Sequence, residues 1–126
     1  MAKITLGKRP ESFRRKVTFP LIEGGDGVIM CDFKYRTKSE FGQFLDQMSS
    51  DAGVVPEEGK PLSIGDLMAK TVDRNADYLL DVLKGWDVDA DLTRDNAAQL
   101  ANELPGACVA IMEAYRLAVV EGRLGN

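Results

Sequence analysis

The chain has no histidine and only two cysteines. Without histidine it lacks the side chain that most often serves as general base near neutral pH and as metal ligand. Cys31 and Cys108 lie far apart in apolar contexts, so they make neither a metal-binding spacing nor a disulfide framework. Two reduced, buried thiols in a cytoplasm are expected. No apolar run approaches the length of a membrane span. The first residues, MAKITLGKRPESFRRK, contain no apolar core of the kind a secretory signal needs, so no signal is expected. Carboxylates are plentiful, but no acid, base and nucleophile stand together. Neither an enzyme nor a cofactor-binding protein is expected.

What the chain does have is a workable core and an uneven charge. Its 126 residues suit one domain spanning 1–126, and 44% of them are apolar, enough to fold. Residues 1–40 carry nine Lys/Arg and five Asp/Glu, a balance of +4, whereas residues 41–126 carry seven and fifteen, a balance of −8. That split permits steering of a charged partner or head-to-tail self-association. Lys8, Arg9, Arg14, Arg15 and Lys16 invite comparison with a phosphate-contacting patch. Only Phe13 lies among them, and no nucleic-acid motif surrounds them, so a solvated strand face is the better reading.

Alternation sets the first elements. Phe13, Arg15, Val17, Phe19 and Leu21 share one face of an extended segment; Arg14, Lys16 and Thr18 share the other. Gly24-Gly25-Asp26-Gly27 signals a turn. It resembles a phosphate loop only in its glycines, since no Lys-Ser/Thr pair follows. The return strand runs from Val28 to Arg36, with Ile29, Cys31, Phe33 and Tyr35 on one side. Pro20 has no N–H for a ladder, which suits an edge or the end of pairing. Ile4 and Leu6 offer a short third strand. A hairpin is rarely stable alone, so helices must cover its apolar face.

Helical signals fill the remainder. Thr37 and Glu40 form a capping box, followed by Phe41, Phe44, Leu45 and Met48 at helical spacing. That stripe either covers the hairpin or leaves part of itself open as a groove for a partner helix. A polar loop is expected near 49–62. Ser63 then begins a long helix to Lys84, with Ile64, Leu67, Met68, Val72 and Leu79 inward. Gly85 suits a left-handed cap, and Trp86 either closes the helix end or anchors a partner. The spacing of Asp87, Asp89 and Asp91 invites a calcium loop. Leu92 stands where that loop needs Gly, and Ala98 where it needs a bidentate Glu, so a polar loop before a Thr93-capped helix is simpler. This helix spans Arg94 to Glu103, with Ala97, Leu100, Ala101 and Leu104 on one face. A last helix begins at Pro105 and stops at Gly122. The fold class is therefore α+β: an N-terminal antiparallel hairpin region, 1–36, packed against a helical region, 37–126, of about four helices.

The corners of this pattern carry a family resemblance. They are Leu83-Lys84-Gly85-Trp86-Asp87, Asn96-Ala97-Ala98-Gln99-Leu100, Leu104-Pro105-Gly106-Ala107, Ala114-Tyr115 and the ending Glu121-Gly122-Arg123-Leu124-Gly125-Asn126. Lys16-Val17-Thr18-Phe19-Pro20 and the joint Phe33 to Phe41 agree with them. Over nearly the whole chain the sequence resembles the tail assembly chaperones of long-tailed bacteriophages. These motifs are structural corners and not catalytic signatures.

The resemblance implies non-covalent holding of the tape measure protein, a long helical chain, until tail tube subunits polymerise around it. Tape measure protein and tail tube protein would be the partners, with a homo-oligomer as a further option and no nucleic acid, membrane or cofactor. The site of action would be the host bacterial cytoplasm, for a phage or a prophage, and the chain would be absent from the mature virion. The contact residues expected are Phe41, Phe44, Leu45 and Met48, with Trp86 and Tyr115. The competing class is a structural tail component of connector or terminator type, which would remain in the particle.

Overall fold

The computed structural model describes residues 3–51 and 63–122. Among these residues the chain forms β1 (Ser12–Pro20), β2 (Asp26–Lys34), α1 (Lys38–Asp51), α2 (Ile64–Val82), β3 (Leu83–Trp86), α3 (Arg94–Glu103) and α4 (Pro105–Glu121). β1 and β2 pair antiparallel, with Phe13 opposite Phe33 and Val17 opposite Ile29. The turn closes where Gly24 N–H donates to Leu21 O and Leu21 N–H to Gly25 O, both at 3.0 Å. Gly24 and Gly25 take φ of 105° and 79°, a region that a side chain would oppose. Val17, Phe19, Ile29, Cys31 and Phe33 are buried on the inner face, as the alternation predicts, while Arg14 and Lys16 stay exposed.

The third strand is not the expected one. Ile4 and Leu6 are exposed and unpaired, and Leu6 lies in a turn. Instead α2 ends at Val82, two residues short of the expected Lys84, and the chain runs straight into β3. Leu83 adopts φ −97° and ψ 133°, so the helix exits extended and no left-handed glycine is needed. Gly85 is accordingly absent from the positive-φ glycines and pairs with Asp32 instead. Beyond Trp86, the Asp87 carboxylate accepts Met30 N–H at 2.8 Å and extends the ladder by a side chain. The sheet order is β1-β2-β3, which leaves β1 at an edge, with Pro20 at its last pair.

Local signals place the helices. Thr37 N–H donates to Glu40 Oε1 at 2.9 Å and Glu40 N–H to Thr37 Oγ1 at 3.3 Å, the reciprocal box that starts α1. The hydrogen bond from the Thr37 backbone, and then Arg9, hold the Glu40 carboxyl below its ordinary range. Ser63 Oγ accepts Asp66 N–H at the start of α2, and Thr93 Oγ1 accepts Asn96 N–H at the start of α3. Pro105 opens α4, and Gly122, at φ 64°, ends it. Of the polar loop expected near 49–62, residues 49–51 belong to α1, and 52–62 lie outside the described residues.

Tyr115 sits at the centre of the core. Its ring lies 5.2 Å from that of Phe33, 5.5 Å from Phe41 and 6.0 Å from Phe13. Its hydroxyl donates to Lys34 O at 3.0 Å and accepts from Arg36 Nη1 at 3.1 Å. One phenol thus ties α4 to both strands of the hairpin and to α1, with its polar tip satisfied. Leu79, Val82, Ile111 and Cys108 fill the space behind, and Ala97, Ala101 and Ala107 let helix backbones approach closely. Both thiols are free and buried; burial pushes Cys31 up to about 12 and Cys108 up to about 11.

Candidate functional site

The predicted contact residues divide between core and rim. Phe41, Phe44 and Tyr115 are buried and meet one another: Phe41 lies 6.1 Å from Phe44 and 5.5 Å from Tyr115 between ring centres. They form the floor under α1 and α4. Met48 is partly buried against that floor, and Leu45 stays exposed beside it. Trp86 is half-buried, packs on the core through its ring and donates Nε1–H to Ala90 O at 2.8 Å. Of the α1 stripe, then, Phe41 and Phe44 pack on Tyr115 of α4 and Tyr78 of α2, and Leu45 and Met48 reach toward the surface.

Two apolar clefts flank α4. One, about 290 Å³, lies between α1 and α4 and is lined by Phe41, Leu45, Tyr78 and Met112. The other, about 540 Å³, lies between α4 and β1 and is lined by Val17, Pro20, Pro105, Ala110 and Leu117. Val109, 62% exposed, forms a wall of both. β1 adds an edge. Tyr35 N–H bonds to Glu11 O, and Leu21 N–H to Gly25 O, so odd-numbered residues of this segment turn their main-chain groups toward β2. Strict alternation then turns those of Ser12, Arg14, Lys16 and Thr18 outward, where Pro20 supplies no donor.

The largest departure from the expected surface is on α2. Ile64, Leu67 and Met68 were expected inward, yet they are 75%, 42% and 64% exposed. Its buried residues begin only at Ala76 and continue with Tyr78, Leu79 and Val82. The first two turns therefore stand away from the core and carry an apolar stripe at i, i+3 and i+4, and Val72 is the first apolar residue of α2 to pack on the core. The stripe is plain in the sequence. What it lacks there is any mark of whether its partner lies in the same chain.

Among the described residues no three His, Cys, Asp or Glu groups converge as a metal site. In the acidic crossing, Asp87 is engaged by Met30 N–H and the Asp91 carbonyl by Asn96 Nδ2, which makes it a pinned loop leading into α3. No helix among the described residues is long and apolar enough to cross a membrane.

Fold and surfaces together define a small α+β protein with apolar side chains exposed along its helices. Compared with models of known families, residues 1–126 match the phage tail assembly chaperones, and the chain belongs to that family. Searches of curated proteins and of solved structures return no match. The family places the chain in tail assembly inside the host, with tail proteins as its partners in general, and points to binding in place of catalysis.

Proposed function

We propose that the chain binds the tape measure protein non-covalently, keeps it soluble in the host cytoplasm and helps recruit tail tube subunits to it. The observation that carries this reading is the exposed stripe Ile64, Leu67 and Met68 on a helix whose start is capped by Ser63. A capped helix already in place gives a long helical client a matching surface at little ordering cost. Leu45, Met48 and Trp86 supply further contact at the surface, and Phe41, Phe44 and Tyr115 support α1 and α4 from behind. An extended chain with bare apolar stripes is prone to aggregate. Small acidic domains seated along it would shield those stripes and add repulsive charge. Many weak copies would give cumulative coverage and still yield to tube protein.

Co-expression with the tape measure protein from the same genome tests this. The client should move to the soluble fraction and co-purify with the chain. A client that stays insoluble, with no complex formed, sinks the reading.

A further inference from the structure

Where β1 begins, β2 ends and α1 starts, a cleft of about 340 Å³ opens against the last turns of α4. Arg15, Arg36 and Lys38 line it, and Phe13 and Val119 form apolar walls. None of these three cations makes an ion pair among the described residues, whereas Arg9, Lys84, Arg94 and Arg116 all do. Arg36 donates Nη1–H to Asp81 O and to Tyr115 Oη, each at 3.1 Å, and lies 4.3 Å from the Phe44 ring centre. Those are neutral partners, so its charge is unbalanced. Arg15 donates Nη1–H to Arg14 O at 2.9 Å, while its Nε is buried without an acceptor. Glu40, two residues beyond Lys38, is already engaged by Arg9 and by Thr37 N–H.

Three positive charges with no ion-pair partner among the described residues, gathered in an otherwise acidic protein, repel one another, and an anion joining them would relieve that repulsion. The start of α1 adds a partial positive charge of its own. Guanidinium forks match a carboxylate, and the apolar walls match what surrounds a carboxylate on a polypeptide; a free phosphate would leave those walls uncovered. We propose that this cleft receives an Asp or Glu side chain of a partner polypeptide, with that residue's apolar neighbours seated on Phe13 and Val119. The site goes beyond the reading above, because it requires no particular client. It sets the register of whichever partner carries the acid.

The test titrates the full chain into a fluorescently labelled helical peptide bearing one Glu flanked by leucines at three- and four-residue spacing. A second peptide carries Gln in place of that Glu. Orthophosphate and duplex DNA are titrated in parallel. The Glu peptide should bind, its affinity should fall with salt, and the Arg15 Nε–H resonance should shift on binding. The Gln peptide, or the variant Lys38→Glu, should bind at least about tenfold more weakly. Lys38→Glu places an acid at the first position of α1, which suits a helix, so the circular dichroism spectrum should be kept. Lys3→Glu, with the same change in net charge, should bind like the wild type. Equal binding of the two peptides, binding of neither, an unaffected Lys38→Glu, or binding of phosphate or DNA but not of the Glu peptide would each overturn the proposal.

Discussion

Gly27 lies opposite Phe19 in the hairpin, and a Cβ built there would sit 2.6 Å from Phe19 Cζ. The Phe19 ring is buried, so it cannot swing clear without disturbing the core. Gly27→Ala should therefore cost about 1–3 kcal/mol in urea unfolding. The thiols give a pH prediction. Cys31 rises from an ordinary 9.0 to about 12 through burial, helped by the Asp87 charge, and Cys108 rises to about 11 through burial alone. The folded state holds these protons more tightly than the unfolded one. Their contribution is thus complete below about pH 9 and is lost as pH rises toward 11 and then 12. Alkylation by iodoacetamide near pH 8 should follow unfolding and be negligible in the folded chain. Rapid labelling of the native protein would contradict the burial.

At the scale of elements, α2 is two helices in one. Its second half is core: Leu79→Ala should cost about 2–5 kcal/mol. Its first half carries exposed apolar residues, so the double change Leu67→Gln and Met68→Gln should alter stability by no more than about 0.5 kcal/mol, Gln being a good helix former. The same variant should lose the client in co-purification, a split that a purely structural role would not produce. The elements also show what a lone sequence discloses. The hairpin, the Thr37–Glu40 box, the Thr93 cap and the breaks at Pro105 and Gly122 were legible because each rests on chemistry within a few residues. β3 was not legible. Leu83 and Lys84 continue the helical pattern and Gly85 reads as its cap, and only the far-off edge of β2 makes Leu83–Trp86 a strand. Ile4 and Leu6 alternate as a strand would, but both stay exposed and pair with neither outer edge of the sheet. The α1 stripe was read as core or groove; Phe41 and Phe44 lie inside and Leu45 outside.

For the molecule as a whole, charge and apolar surface divide the labour. The first forty residues carry +4 and the remainder −8, so the same small fold presents a basic cleft and an acidic body. On the proposed reading, the acidic body keeps coated clients apart, and the apolar surfaces hold them until tube subunits arrive. A protein that leaves as the tube forms should be missing from purified particles examined by mass spectrometry, whereas a connector or terminator would be present at fixed copy number.

Hydrogen exchange on the chain, alone and in complex with the tape measure protein, tests most directly whether it acts by lending apolar helix surface. Amides of the first three turns of α2, from Ile64 to Val72, should exchange markedly more slowly in the complex, while those of β2 and α4 around Tyr115 remain slow in both. Unchanged exchange over that half of α2 in a stable complex would contradict the account.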